Sequence, residues 1–211
     1  MSVSKGPLPP IGRFERFLPK DDHHELLEWT LAHRRLFQPS TIAGGVLDPK
    51  KRISERTRQL GPWTARFVDR IAEHLDPIFA ATGTSAFNVD HYELEVVAHC
   101  DGAHFSRHTD IPVGPGRKPV GGDDSGRHER LLSAVYYFQA EPRQFSGGQL
   151  RLHRLGSDGS PGDYLDVDPV QNSLVVFPSW TSHEVMRVTC QSARFEDGRF
   201  AVNCWLCALG R

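Results

Sequence analysis

The sequence predicts a mainly β fold with its helices gathered at the N-terminal end, and two observations carry that prediction. From Asp90 onward, apolar residues recur at every second position in short segments separated by Gly, Pro, Asp and Ser. Before Asp90 the recurrence is at three and four residues over two segments, the spacing of amphipathic helices. The 211 residues suffice for one domain with a buried core. Residues 1–89 are expected to form a mainly helical support region for a β core spanning 90–207.

Residues 13–18 (Arg-Phe-Glu-Arg-Phe-Leu) alternate and read as a strand closed by Pro19. Asp22 with Glu25 three residues on is a capping-box pattern, after which Leu26, Trp29, His33, Leu36 and Phe37 mark one helical face. A second helix begins at Pro62, a residue favoured in the first turn, with Phe67, Val68, Ile71 and Leu75 as its buried stripe, which Ile78 and Phe79 could extend. Pro77 is expected to kink or end it, and Gly83 to close the region. The charged link Lys50-Lys51-Arg52-Ile53-Ser54-Glu55-Arg56 reads as a solvated loop.

In His91-Tyr92-Glu93-Leu94-Glu95-Val96 the period becomes two, with Tyr92, Leu94 and Val96 on one face. Asp101-Gly102 supplies a hairpin turn and residues 104–110 return. Residues 112–130, rich in Gly and Pro, form a long surface loop, either a lid or binding loop or an inert insertion. Further strands are expected at about 131–139, 148–154, 163–168, 173–178, 183–189 and 199–207. With the hairpin these make eight, which suits a jelly-roll, cupin-like double sheet with the helices on one outer face.

Composition narrows the partners. With 25 basic and 26 acidic residues there is no cationic excess to attract nucleic acid. No apolar run near Met1 resembles a signal peptide and no stretch is long enough to cross a membrane, so a cytoplasmic location is expected. Four cysteines are too few for a disulfide scaffold. Cys204-Trp205-Leu206-Cys207 matches a thiol redox spacing but lies in an alternating strand, so the two cysteines read as small strand residues on opposite faces.

The chemistry centres on Phe105-Ser106-Arg107-His108-Thr109-Asp110. In a strand, His108 and Asp110 point to the same face and can share a metal ion. His183, just after the apolar run 173–178, would complete a facial two-His-one-carboxylate triad, a set that suits non-haem Fe(II) and oxygen chemistry. His74-Leu75-Asp76 has the same spacing but falls in a helical segment, where i and i+2 diverge. His91, His99 and His104 read as ordinary strand histidines.

These motifs stand in a particular order: His108-x-Asp110, Val135-Tyr136-Tyr137-Phe138, Ser146-Gly147-Gly148-Gln149-Leu150-Arg151-Leu152, Val175-Val176-Phe177-Pro178 leading to His183, and Arg199-Phe200-Ala201-Val202-Asn203-Cys204-Trp205. In that order they resemble the prolyl 4-hydroxylase group of 2-oxoglutarate and Fe(II) dependent dioxygenases, with the nearest likeness to oxygen-sensing prolyl hydroxylases. The resemblance implies a double-stranded β-helix in which His108, Asp110 and His183 bind Fe(II). It implies that Arg199 pairs with the distal carboxylate of 2-oxoglutarate, helped by Tyr137. Leu150 and Trp205 would line the cofactor and substrate pocket. Strand parity adds Asn203 to the face that carries Arg199 and Trp205.

The implied reaction hydroxylates a proline or another amino acid, free or in a peptide, releasing succinate and CO2, with O2 as co-substrate and ascorbate as an auxiliary reductant. A small-molecule oxygenase of the same mechanism and a non-enzymatic jelly-roll holding a metal or ligand stay open as alternatives. Arg107, Arg117, Lys118, Arg127 and Arg130 are candidate partners for a substrate carboxylate. The pattern departs from the group at Ala98, where a tyrosine is expected, and in the length of the loop after Asp110.

Overall fold

The computed structural model describes residues 6–111, 128–156, 160 and 162–210. In chain order these form β1 (Gly12–Glu15), α1 (Lys20–Ala32), β2 (Gln38–Pro39), β3 (Arg52–Ile53), β4 (Glu55–Thr57), α2 (Trp63–Ala72) and α3 (Leu75–Thr82). There follow β5 (His91–His99), β6 (His104–His108), β7 (His128–Phe138), β8 (Phe145–Gly147), β9 (Leu150–His153), β10 (Tyr164–Val167), β11 (Ser173–Pro178), β12 (His183–Val185), β13 (Val188–Cys190) and β14 (Arg199–Leu209). Most of the predicted loop at 112–130 lies outside the described residues.

Two sheets face one another. The larger has the order β1-β11-β7-β14-β5-β4-β2, the smaller β10-β9-β12-β6-β3, and β13 and β8 pair separately. This is the jelly-roll architecture, and period two explains how the large sheet serves two cores at once. Leu132, Ala134, Tyr136 and Phe138 of β7, Phe200, Val202, Cys204 and Leu206 of β14, and Val96 and Ala98 of β5 pack outward against the helices. The alternate residues Tyr137 and Ala201 turn inward, joining Leu150, Leu152, Val167, Val175 and Phe177 between the sheets. The helices contribute Leu26, Phe67, Ile71, Ile78 and Phe79 to the outer core. Burying each such side chain stabilises the fold by roughly 1.5–3 kcal/mol, so the helices are held by packing.

Several local expectations change. The N-cap of α1 is Pro19, with no side-chain cap. Asp22 and Glu25 are drawn away to Arg66 of α2, an interaction between helices that outcompetes the local capping box. The second helix breaks at His74, whose φ of −113° leaves the helical region. Pro77 therefore sits in the first turn of α3, where a missing N–H costs no intrahelical bond. Gly83 closes α3 in the left-handed conformation, as expected. Residues 50–56 do not form a solvated loop but supply β3 and β4, because Arg52 and Arg56 both reach the buried carboxylate of Glu95. Gly147 and Gly148, at φ 73° and 72°, form the turn that leads into β9, and the short β8 before them is a strand not expected from the sequence. The strand expected at 183–189 divides into β12 and β13, and the carbonyl of Arg187 between them accepts the Gly148 N–H.

Four N-terminal strands are woven into the sheets. β1 pairs with β11, β3 with β6, β4 with β5 and β2 with β4. The Arg52–Thr57 segment thus passes from the small sheet to the large one.

Candidate metal and cofactor site

β6 ends at His108 and pairs with β12 so that His108 lies directly opposite His183. Asp110 lies two residues past the end of the strand, its N–H donating to the Ser179 carbonyl at 3.1 Å. One ligand atom from each of His108, Asp110 and His183 lies within 4.8 Å of the others. His108 Nε2 is 3.7 Å from Asp110 Oδ1, and His183 Nε2 is 3.6 Å from Asp110 Oδ2.

Both histidines are held in the tautomer that a metal needs. His108 Nδ1–H donates to the Ser106 carbonyl at 2.8 Å and His183 Nδ1–H to the Thr181 carbonyl at 2.9 Å, leaving each Nε2 lone pair aimed at the shared centre. Phe105 stacks on the His108 ring at 3.6 Å between centroids, and Phe177 meets the His183 ring edge-on at 4.9 Å. Burial and the neighbouring His183 push the His108 pKa down, which keeps it neutral. Burial alone would raise that of Asp110. His183, His108, the Ser133 hydroxyl and the Trp205 indole hold it below the usual carboxylate range instead. Two imidazoles presenting Nε2 and one anionic carboxylate are the donor set that suits an Fe(II) site.

Deeper between the sheets, Arg199 is 1% exposed and no carboxylate pairs with it among the described residues. Its guanidinium lies 4.7 Å over the Tyr137 ring and donates through Nη1 to His99 Nδ1 at 3.0 Å. Its Nε and the Tyr137 hydroxyl, both buried, have no hydrogen-bond partner among the described residues. An uncompensated buried cation costs several kcal/mol, and two orphaned donors beside it form a receptor for an anion. Gly148 makes room for the arginine, since a Cβ there would lie 2.7 Å from Arg199 Cδ. These features fit the distal carboxylate of a dicarboxylate such as 2-oxoglutarate.

The remaining predicted site residues are placed as follows. Leu150 lies in the inner core beside Tyr137. Trp205 turns its indole to Asp110 and carries the Arg130 guanidinium 4.0 Å over its ring. Asn203 faces Glu95, its amide 3.3 Å from the carboxylate. Arg130 is engaged by Glu93 through two hydrogen bonds and also reaches the Asp110 carbonyl. Arg107 donates to the Ser182 hydroxyl, and Arg117, Lys118 and Arg127 lie outside the described residues. Ala98 packs in the outer core, so a larger side chain there would not reach the cofactor cavity.

Sequence reasoning passed over His99, which the β5–β14 register sets directly opposite Arg199. It also passed over Ser133, Ser179, Arg52 and Glu95. Ser133 shares strand parity with Tyr137, a signal that could have found it.

Comparison with known proteins agrees with this geometry. The family model described as the 2OG-Fe(II) oxygenase superfamily matches residues 94–207, just over half the chain. An uncharacterized PKHD-type hydroxylase of Synechocystis sp. is 26% identical over 199 residues, covering 92% of this chain and 62% of that protein, so the chain spans about three fifths of the relative's length. Among solved structures, a prolyl-4-hydroxylase of Pseudomonas putida superposes with a TM-score of 0.64 at 21% identity, over 97% of this chain and 94% of that one. A prolyl hydroxylase of Trichoplax adhaerens, in complex with a peptide of the hypoxia inducible factor oxygen degradation domain, gives 0.65 at 18% identity, over 93% and 83%. At these identities the two structures speak for the fold.

Proposed function

Because the chain belongs to the 2OG-Fe(II) oxygenase superfamily, we propose that it is a hydroxylase in which His108, Asp110 and His183 hold Fe(II) and Arg199 with Tyr137 holds 2-oxoglutarate. The observation that carries this reading is the pairing of a three-ligand cluster with a buried arginine that has no carboxylate partner among the described residues. Bound together, Fe(II) and 2-oxoglutarate supply the chemistry by which O2 is reduced, succinate and CO2 are released and an unactivated C–H bond is hydroxylated, with ascorbate as an auxiliary reductant.

The chain's own residues provide orientation and dryness. Ser106 and Thr181 fix the imidazoles, and Arg199 and the Tyr137 hydroxyl orient the distal carboxylate. Leu150, Leu152, Val175 and Phe177 keep water from the inner cavity. Trp205, Asn203, Glu95 and Arg130 form the polar wall against which a substrate would lie. The substrate we propose is a proline or another amino acid, free or within a peptide. The likeness to a bacterial prolyl-4-hydroxylase and to a peptide-bound prolyl hydroxylase supports it.

The test is anaerobic visible absorption of the metal-free protein on adding Fe(II) and then 2-oxoglutarate. A new absorption band is expected in the wild type, absent in Asp110→Ala and weakened in Arg199→Ala. A folded, iron-loaded wild type that shows no band would refute the cofactor site. Succinate release in the presence of free proline and of proline-containing peptides then sorts the substrate.

A further inference from the structure

The Asp110 carboxylate has its own hydrogen-bonded support, separate from the residues that would touch a metal or 2-oxoglutarate. Ser133 Oγ lies 2.7 Å from Asp110 Oδ2 and 2.9 Å from Ser179 Oγ. The two serines are 1% and 0% exposed. Their protons can be assigned by counting donors. An ionised carboxylate only accepts, so the single Ser133 proton goes to Asp110, and the Ser133–Ser179 contact must use the proton of Ser179. The result is a directed relay: Ser179 O–H donates to Ser133 Oγ, and Ser133 O–H donates to Oδ2.

Ser179 grips the same residue a second time. Its carbonyl accepts the Asp110 N–H at 3.1 Å, while its own N–H donates to the Leu131 carbonyl at 3.0 Å. Backbone and side chain of Asp110 are thus tied to the β7–β11 end of the large sheet. His108 and His183 belong to the small sheet. The metal triad therefore spans both sheets, and these two hydroxyls set the carboxylate's position relative to the histidines.

We infer that Ser133 and Ser179 are positioning residues for the metal site: their relay holds the Asp110 carboxylate in one orientation, so that the site is formed before any metal arrives. A serine at 133 serves because it is short, lies on the inward-facing parity of β7 and brings one donor to one oxygen. Without it, the Trp205 indole is left to hold the carboxylate without the Ser133 donor, the carboxylate gains freedom to rotate, and metal binding must then order it. Loss of a hydrogen-bonded partner behind a metal ligand typically weakens metal affinity about 10- to 100-fold. Ser179 acts through Ser133, so its removal should have the smaller effect.

This inference rests on the proposed Fe(II) site, and the experiment separates the two. Dissociation constants for Fe(II) and Co(II) would be measured anaerobically on wild type, Ser133→Ala, Ser133→Thr and Ser179→Ala, with the Co(II) visible spectrum and the melting temperature of each metal-free protein. Expected is a loss of about 10-fold or more in Ser133→Ala, a smaller loss in Ser179→Ala, recovery in Ser133→Thr because the hydroxyl returns, and a changed Co(II) spectrum in Ser133→Ala alone. If wild type and Ser133→Ala bind both metals within threefold of each other with identical spectra, the positioning role is overturned while the metal site stands. If the wild type binds neither metal, the site itself fails. Should Ser133→Ala not fold, Ser179→Ala decides: wild-type affinity for both metals there would overturn the relay.

Discussion

Replacing Arg199 by methionine should weaken 2-oxoglutarate binding and strengthen the metal-free fold, two effects of opposite sign from one substitution. Arg199 is fully buried with its charge opposed by no carboxylate among the described residues, and burial pushes its pKa down. Exchanging a poorly compensated buried ion for an apolar side chain of similar length commonly stabilises by about 1–4 kcal/mol. Loss of the donor to His99 Nδ1 returns about 1 kcal/mol of that gain. The remainder, about 0–3 kcal/mol with a midpoint of about 1.5 kcal/mol, corresponds at that midpoint to a rise of roughly 3–6 °C in the melting temperature for a chain of this size. Binding moves the other way. Removing one partner of a buried, hydrogen-bonded charge pair costs roughly 2–5 kcal/mol, or about 30-fold to a few thousandfold in affinity. Differential scanning fluorimetry with and without 2-oxoglutarate, in the presence of Fe(II), reads both effects in one plate. The wild type should melt lower alone and gain the larger shift from the ligand. A variant that melts below the wild type, or that gains an equal shift, would show that Arg199 is an ordinary structural cation.

Two further outcomes follow from the same cavity. Gly148→Ala forces a side chain onto a residue at φ 72° and sets a Cβ 2.7 Å from Arg199 Cδ. It should cost about 1–3 kcal/mol of stability and lower 2-oxoglutarate affinity at least tenfold by displacing the guanidinium, whereas Gly156→Ala, with open space around its Cβ, should leave affinity unchanged. His99 is kept neutral by burial first and then by Arg199, Arg52 and His104, its pKa lying well below the ordinary value. The unfolded chain binds a proton there below about pH 6.5 and the folded chain does not, so His99 contributes stability above that pH and loses it as pH falls. Between pH 7.5 and 5.5 the wild type should lose about 1.4 kcal/mol more than His99→Gln. Equal losses in urea titrations at the two pH values would show that the imidazole is protonated in the fold.

What was legible in the sequence divides along a physical line. Strand parity is a local property, so the two faces of β7 and β14 could be read before any pairing was known, and with them the inward placement of Tyr137, Arg199, Asn203 and Trp205. The capping box at Asp22 and Glu25 is also a local pattern, yet a long-range competitor, Arg66, captured both carboxylates. The register between strands is not local either. Nothing within residues 94–99 announces that His99 will lie opposite Arg199 rather than Phe200. The segment 50–56 misled for a related reason: its charges suggest solvent, but their partner Glu95 lies 39 residues beyond Arg56 and is 1% exposed. A run of charged residues reads as surface until a buried counter-charge is known.

The short N-terminal strands bear on how this protein could be divided. β4 covers the outer edge of β5, β3 covers that of β6, and β1 borders β11. A fragment beginning at residue 90 would keep both sheets but lay bare three rows of unsatisfied backbone donors and acceptors, and such raw edges recruit other chains. It would also leave Glu95 as a buried anion stripped of both its arginines. The part of the chain that carries the proposed metal ligands is in this sense unfinished alone, and residues 1–89 serve it as selvedge.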